Sequence, residues 1–347
     1  MEHDAIIQAK NKIENVESHA EWELRKKITN PYEAIFSGNA DNNFPSLAKV
    51  HPLSRSYFKM IEMLAVCKFT TNATAPFKSA HVCEGPGGFI QALVEKLKRN
   101  KNPIDAMYAM TLRPTKSHIP GWRRSIQFLR KYPEIKLEYG ADDTGNILLH
   151  ENQKSFCNAA EGSQIFTADG GFDFSVDYAN QEQMAFPLLL ASFTMGIQCL
   201  AKGGTIIIKL FDIYSHATQD LFLGTARLFE TFTLYKPATS RPCNSERYFI
   251  ANNFVGPTDQ QTTKWVKHLQ VISDAHAVSP VTRLVEDSWP KDILGALQEH
   301  IEWQEKQQTA VIEETLNFDK GNLEKQIATN IRLSKRWCEA FDVPYSV

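Results

Sequence analysis

The sequence predicts an α/β fold in which a mostly parallel sheet of seven strands is covered by helices on both faces. The first observation behind this prediction is that short β-prone runs alternate with helical stretches from about residue 79 onward. The second is that no helix lies between the last two runs, so we expect them to form an antiparallel hairpin with a reversed strand at one edge of the sheet. The predicted strands are 80–84, 106–112, 135–139, 164–168, 205–210, 232–235 and 248–252.

Helical stretches separate these strands and continue beyond them at both ends of the chain. Those between the strands are 89–99, 122–131, 182–201 and 217–230. The first 45 residues are polar and helical, with Asn30-Pro31 as a stop signal among them. The helical stretches after the last strand are 262–275, 291–316 and 321–341. We therefore expect a helical N-terminal extension, a central domain and a helical C-terminal extension, at 1–45, 46–255 and 256–347.

The composition is that of an ordinary globular protein, with 347 residues of which 43% are hydrophobic and 22% charged. No apolar run reaches the ~20 residues of a membrane span, and the N-terminus lacks a secretory pattern, so we expect an intracellular protein. The six cysteines are scattered without the spacing of a metal site, and we expect no metal. A net charge of −2 argues against coating of nucleic acid by bulk electrostatics but leaves room for a local basic groove.

The first motif with chemical content is Cys-Glu-Gly-Pro-Gly-Gly-Phe at 83–89, where the first predicted strand meets a helix. Glycines let the backbone approach a ligand closely, and the helix that follows offers free N–H groups. A dinucleotide-binding protein would carry an acid about 20 residues farther on. The second strand instead ends in Met-Thr-Leu-Arg at 110–113, which disfavours a nicotinamide oxidoreductase. A tight glycine turn without a ligand is the alternative.

Three polar side chains lie at or near the ends of predicted strands. Asp169 follows the fourth strand, Lys209 closes the fifth, and Glu246 lies in the loop that enters the last. Ligands of open α/β sheets bind at the carboxyl ends of the strands, so Asp169 and Lys209 are expected to face the glycine motif. Burial of Lys209 would favour its neutral form. The alternatives are a turn-forming Asp, a lysine that reaches out to water, and an ordinary surface Glu.

Taken together, these segments resemble the FtsJ-like ribose 2′-O-methyltransferases, most closely the branch that methylates the first transcribed nucleotides of capped mRNA in eukaryotes and large DNA viruses. The resemblance covers about residues 54–254. Its motifs are Glu-Gly-Pro-Gly-Gly-Phe, Ala-Asp-Gly-Gly-Phe, Lys-Leu-Phe-Asp and Thr-Ser-Arg-Pro-Cys-Asn-Ser-Glu-Arg-Tyr, in the family's order. The resemblance implies a Rossmann-like methyltransferase fold, S-adenosylmethionine as methyl donor, and RNA as substrate.

The resemblance also implies a catalytic tetrad of Lys59, Asp169, Lys209 and Glu246. Without it, Lys59 would be interpreted as an exposed helical lysine. We expect burial and the neighbouring charge of Lys59 to lower the pKa of Lys209, so that Lys209 activates the ribose hydroxyl. Asp169 and Glu246 would hold the two lysines, and Lys59 would stabilise negative charge on the 2′-oxygen.

The resemblance assigns cofactor contacts to the glycine motif, to an upstream serine and to the loop after the third strand. At Asn146 the relatives often have Asp, but an amide can still pair with an adenine edge. The predicted cofactor residues are Ser54, Glu84, Gly85, Pro86, Gly87, Gly88, Phe89, Asp143, Asn146, Ile147 and Asp169.

RNA contacts are expected from the basic, Trp-containing segment after the second strand and from the loops around Asp169 and Glu246. A solvated basic loop is the alternative for the first of these. The predicted residues are Arg113, Trp122, Arg124, Asn180, Gln181 and Asn244. Open alternatives for the function are methylation of ribosomal or transfer RNA and a catalytically silent RNA-binding subunit. The terminal extensions are candidate contacts for a capping-apparatus partner, and the sequence leaves the nucleus and the cytoplasm, including a viral factory, both open.

Overall fold

The computed structural model describes most of the chain, in nine ranges. They are residues 3–13, 16, 18–37, 44–70, 75–115, 121–171, 181–274, 281–285 and 289–346.

A seven-stranded sheet forms the centre of the protein, with the strand order β3-β2-β1-β4-β5-β7-β6. The strands are β1 Phe77–Val82, β2 Ile104–Met110, β3 Ile135–Glu138, β4 Ser163–Ala168, β5 Leu200–Leu210, β6 Phe229–Tyr235 and β7 Arg247–Phe254. The pairs from β3 to β5 are parallel, and β7 is antiparallel to both β5 and β6. The predicted fold class and edge hairpin are confirmed, with the reversed β7 inserted between β5 and β6.

The middle strands are apolar because both faces of the sheet are covered. Ile206, Ile207 and Ile208 of β5 are at most 1% exposed, and Ala80 and Val82 of β1 are fully buried. Such continuous apolar runs end at the carboxyl edge, where the chain turns polar. Side chains just beyond that edge therefore follow directly on buried strands that hold their positions.

The helices that cover the sheet are α3 Ser56–Val66, α4 Gly88–Arg99, α5 Ile126–Lys131, α6 His150–Ala160, α7 Gln181–Cys199 and α8 His216–Ala226. The sequence prediction missed α6, since its apolar face is limited to Phe156, Cys157 and Ala160 amid polar residues. It also extended the fourth helix to residue 230, whereas β6 begins at Phe229.

The terminal helices are α1 Asp4–Ile13 and α2 His19–Thr29 before the sheet, and α9 Gln260–Asp274, α10 Lys291–Leu316 and α11 Leu323–Ala340 after it. Both extensions are helical, as expected. Both share core with the central sheet, because Ile35 and Trp337 belong to the same buried cluster as Ile207 of β5. Trp337 of α11 packs edge-on against Phe58 of α3, with 5.7 Å between ring centroids. In the described ranges, no helix is long and apolar enough to cross a membrane.

Candidate active site

Four charged side chains from four separate segments meet at the carboxyl edge of the sheet. Glu246 joins the two lysines: its Oε1 lies 2.6 Å from Lys59 Nζ and its Oε2 lies 3.8 Å from Lys209 Nζ. Lys209 Nζ also lies 3.1 Å from Asp169 Oδ1 and donates to the Asp169 carbonyl oxygen at 3.0 Å. The structure thus brings together the four residues that the resemblance had placed in one tetrad.

The cluster is nearly closed to water and carries balanced charge. The four side chains are between 10% and 16% exposed. Burial alone would raise the pKa of Glu246, but the charges of Lys59 and Lys209 and hydrogen bonds from Lys59 and Ser240 outweigh it and lower that pKa. Glu246 is therefore an ionised anion between two lysines.

The expected pKa of Lys209 is wrong in direction. Burial does lower the pKa of Lys209, but the charges of Asp169 and Glu246 outweigh burial and leave it raised. The prediction weighed burial and a second lysine, whereas the structure places two carboxylates within 4 Å of the ammonium group. In the protein alone, Lys209 is a cation.

Two residues at the cluster were not singled out from the sequence. Tyr248 lies opposite Lys209 in the β5–β7 pairing, and its hydroxyl donates to Asp169 Oδ1 at 2.8 Å. Lys236 donates from Nζ to the carbonyl oxygens of Asn244 and Glu246, at 2.5 and 2.9 Å. Burial lowers the pKa of Lys236 to about 8. The signal for Tyr248 was its position at the start of the last strand, two residues after Glu246; Lys236 had none.

The turn of Gly85, Gly87 and Gly88, which we call the glycine cradle, lies between β1 and α4 beside the cluster. A Cβ on Gly88 would lie 2.1 Å from Ser56 Oγ and 2.3 Å from Ser54 Oγ, so only glycine lets α4 begin this close to α3. Gly87 has φ +109°, a left-handed conformation that favours glycine. Glu84 Oε1 accepts the Ile90 N–H at 3.0 Å, which caps the start of α4.

Two aromatic residues at the motif are buried in packing roles. Phe89, predicted to line the cofactor, is fully buried and packs 5.9 Å from the Tyr248 ring. Trp122, predicted to stack on a base, is 7% exposed and approaches Gly87. The structure does not support base stacking by Trp122, because a buried ring presents no free face. The Pro86 carbonyl accepts a hydrogen bond from Ser125 Oγ.

The loop after β3 is organised by its own side chains. Asn146 Oδ1 accepts the Leu148 N–H at 3.0 Å, which leaves the amide nitrogen as its donor, and Ile147 is 3% exposed in the core. Asp143 is exposed and pairs with Arg113, whose Nη2 lies 2.6 Å from Asp143 Oδ1. Arg113, predicted to contact RNA, stacks 3.8 Å over the Tyr139 ring. Arg113 therefore belongs structurally to this loop.

The other predicted RNA contacts lie around the same edge. Arg124 and Asn244 are exposed. Gln181 begins α7 and accepts a hydrogen bond from Ser245 Oγ at 3.1 Å, next to Glu246. Asn180 lies outside the described residues.

The sheet with its one reversed strand, the glycine cradle after β1 and the polar cluster at the carboxyl edge define the class of Rossmann-like methyltransferases. Within this class, residues 52–254 match the model of the FtsJ-like methyltransferase family. The chain belongs to that family, and the cofactor that follows from it is S-adenosylmethionine.

Curated relatives carry names of one kind. The cap-specific mRNA (nucleoside-2′-O-)-methyltransferase 1 of Trypanosoma brucei brucei is 32% identical over 203 residues, which are 58% of this chain and 52% of that protein. Its Dictyostelium discoideum namesake is 30% identical over 72% of this chain and 34% of its own length. The cap-specific enzyme of Autographa californica nuclear polyhedrosis virus is 28% identical over 54% of this chain and 71% of its own.

The chain spans about half or less of the first two of these relatives. Among solved structures, a putative ribosomal RNA methyltransferase from Plasmodium falciparum matches with a TM-score of 0.41 and 19% identity, over 59% of this chain and all of that one. That likeness is too distant to bear on function.

The residues at the carboxyl edge fit S-adenosylmethionine. At Gly85, Gly87 and Gly88 neighbouring protein atoms occupy the space that a Cβ would take, so the glycines let the segments around this turn pack closely. Glu84 Oε2, at the base of the cradle, is buried without a hydrogen-bond partner among the described residues. Carboxylates here suit a cofactor that carries a sulfonium charge and an amino group.

Proposed function

We propose that this protein transfers a methyl group from S-adenosylmethionine to the ribose 2′-hydroxyl of RNA, at the first transcribed nucleotides of m7G-capped mRNA. The observation that carries the proposal is the buried cluster in which Glu246 joins Lys59 and Lys209 while Asp169 holds Lys209. It lies beside the glycine cradle, so a hydroxyl placed on the lysines would face a methyl donor bound there. The choice of capped mRNA as the substrate rests on the names of the relatives, which are cap-specific mRNA methyltransferases.

A ribose hydroxyl is a poor nucleophile at neutral pH, and the residues of the cluster have to orient and deprotonate it. S-adenosylmethionine supplies a methyl group that is already activated by its positive sulfur. Neutral Lys209 would accept the hydroxyl proton at Nζ as the 2′-oxygen takes the methyl group, whose bond to sulfur breaks to leave the neutral thioether S-adenosylhomocysteine. Because the carboxylates raise the pKa of Lys209, the neutral form is a minor population that grows with pH.

The other three residues hold the geometry. Lys59 keeps an ammonium group beside the reacting oxygen and stabilises the negative charge that develops on it. Glu246 fixes Lys59 at 2.6 Å, and Asp169 fixes Lys209 at 3.1 Å. Alignment of oxygen, carbon and sulfur then supplies much of the acceleration.

The RNA is expected to enter over the exposed side of the cluster. Asn244 is exposed while its carbonyl is held by Lys236, so its side chain is free to face a substrate. Arg124 adds an exposed cation near the cradle that suits phosphate contacts.

The test is methyl transfer from labelled S-adenosylmethionine to short m7G-capped RNA, with uncapped RNA of the same sequence alongside and nuclease mapping of the product. We expect label on the ribose of a cap-proximal nucleotide of capped RNA only. Lys209→Met should lower kcat by about 100-fold or more and leave cofactor affinity unchanged. The exposed Lys154→Met serves as control.

Two outcomes would contradict the proposal. Label on a base, or on internal ribosomal or transfer RNA in preference to capped RNA, would reject the cap assignment. Near-normal turnover by Lys209→Met would reject the role of Lys209 as proton acceptor.

A further inference from the structure

Glu62 is a fully buried carboxylate on α3, one helical turn after Lys59. Among the described residues, no hydrogen bond or ion pair joins its side chain to the tetrad, and it was not singled out from the sequence. Its two oxygens accept five hydrogen bonds. The donors are Tyr235 Oη at 2.8 Å, Ala238 N at 2.7 Å, Thr239 N at 2.9 Å, Thr239 Oγ1 at 2.7 Å and Trp337 Nε1 at 3.1 Å.

Three of these bonds come from the loop that carries Glu246, which we call the 236–246 loop. Ala238 and Thr239 lie in its first half. The next residue, Ser240, donates from Oγ to Glu246 Oε1 at 2.7 Å. Glu62 therefore fixes the backbone immediately before the residue that orients Glu246.

The same α3 carries Lys59, so Glu62 helps to set the distance between Lys59 and Glu246, which matters for the proposed reaction. Lys59 Nζ contacts Glu246 Oε1 at 2.6 Å across the gap between α3 and the loop. An exposed ion pair would tolerate drift of the loop, but this pair is buried. Glu62 is a further tie between α3 and the loop, beside Arg55 at the start of α3, whose Nη2 donates to the Thr239 carbonyl at 3.4 Å. Loss of the hydrogen bonds at Glu62 would let the loop shift relative to α3 and Lys59.

The terminal helices complete this support from the outer side of the loop. Trp337 of α11 donates to the same Glu62 oxygen as Thr239. Gln308 of α10 donates from Nε2 to the Cys243 carbonyl at 3.0 Å. Arg241 pairs with Glu33 of the N-terminal extension at 3.2 Å. Both extensions thus bind the loop that presents Glu246.

We propose that Glu62 is a positioning residue for the methyl transfer, which holds the 236–246 loop against α3 and couples the C-terminal helix to the tetrad. The proposal rests on the proposed function. It gives the extensions a role within the catalytic unit, since removal of α11 would take one of the five donors from Glu62.

Asp220 offers a matched control elsewhere in the fold. It is 1% exposed on α8 and also accepts several hydrogen bonds, from Arg283, Leu284, Val285 and Trp289. These donors belong to the segment before α10 and not to the 236–246 loop. A loss at Asp220 reports on general stability, because no tetrad residue is tied to it.

The experiment compares Glu62→Gln with Asp220→Asn in the full chain, using steady-state methylation of capped RNA and hydrogen exchange of the backbone amides. Gln keeps the shape of Glu62 but turns an amide group toward donors. We expect Glu62→Gln to lower kcat by about 10- to 100-fold with cofactor Kd within about twofold of wild type. Amides 238 and 239 should exchange faster, and Asp220→Asn should change neither.

The pH dependence of kcat separates positioning from stability. Around Lys209 stand Asp169, Glu246 and Cys83, and all three raise its pKa, Asp169 and Glu246 most strongly. If Glu246 moves away in Glu62→Gln, the pKa of Lys209 falls and the midpoint of the rise in kcat moves to lower pH. Loss of stability alone would lower the active fraction without moving the midpoint.

Tyr235→Phe and Trp337→Phe cover the case in which Glu62→Gln fails to fold. Each removes one donor, and each should show the same changes at about two- to fivefold in kcat. Wild-type kcat and midpoint in all three variants would overturn the proposal. The proposal would also be overturned if kcat fell in proportion to the melting temperature and fell by the same amount in Asp220→Asn. If wild-type protein methylates no RNA, the proposed function fails, and amide exchange at 238 and 239 still decides whether Glu62 holds the loop.

Discussion

The two halves of the carboxyl edge are built in different ways. In the predicted cofactor loops, several polar groups bond within a few residues of themselves, such as Glu84 to Ile90 and Asp142 to Thr144. In the charged cluster, Lys59, Asp169, Lys209 and Glu246 come from four distant segments and meet only in the folded chain. Local hydrogen bonds thus contribute to the predicted cofactor loops, whereas the charge balance of the cluster arises only from long-range packing. Substitutions in the two halves should separate cofactor affinity from turnover.

The largest effect is expected from Glu246→Gln in the cluster. Loss of this charge frees Lys59 and removes one of two carboxylates that raise the pKa of Lys209. We expect kcat to fall by about 100-fold or more. The residual activity should rise at lower pH than in wild type, because Lys209 then loses its proton more easily. Cofactor Kd should stay unchanged.

The measurement is a pH profile of kcat at saturating cofactor, with the exposed Glu299→Gln as control. An unmoved midpoint would mean that Glu246 does not govern the protonation of Lys209.

A smaller effect is expected from Gly88→Ala in the cradle, and it should fall on cofactor affinity and not on turnover. The new Cβ would lie 2.1 Å from Ser56 Oγ and 2.9 Å from the Tyr57 backbone nitrogen, so α4 must move away from α3. Overpacking of this kind costs about 1–3 kcal/mol. We expect cofactor binding, measured by calorimetry, to weaken by about tenfold.

Gly295→Ala is the control for this substitution, because nothing lies within 4 Å of a Cβ at that helical position. It should leave cofactor binding unchanged and stabilise the protein by about 0.5–1 kcal/mol. Equal cofactor affinity in Gly88→Ala and wild type would show that the cradle does not bind the cofactor.

The smallest effect is expected from Arg113→Ala. Arg113 pairs with Asp143 and stacks on Tyr139 at an exposed position, so its loss should loosen the loop after β3 only slightly. We expect cofactor affinity to fall by about two- to fivefold and RNA affinity to stay within error. Arg124→Ala, with its exposed side chain, should do the reverse. A loss of RNA affinity in Arg113→Ala would restore the role first predicted for it.

Much of the fold followed from periodicity, because buried parallel strands are continuous apolar runs and hairpins lack an intervening helix. Each predicted strand is present, although β5 begins at Leu200 and not at residue 205. The helix α6 escaped because a mostly polar segment shows little helical periodicity. The sequence also did not predict the burial of Trp122, because its packing partner Gly87 lies in another loop.

The sequence by itself determined the sheet and the glycine motif, because strand periods and motifs are local properties. Its resemblance to the family identified the four residues at the tetrad positions. Tertiary structure alone decided the sign of the pKa shift of Lys209 and the support of the 236–246 loop by Glu62. The reason is physical: electrostatic shifts and buried hydrogen bonds depend on distances between side chains that are remote along the chain. Such distances exist only once the sheet and its covering helices have packed.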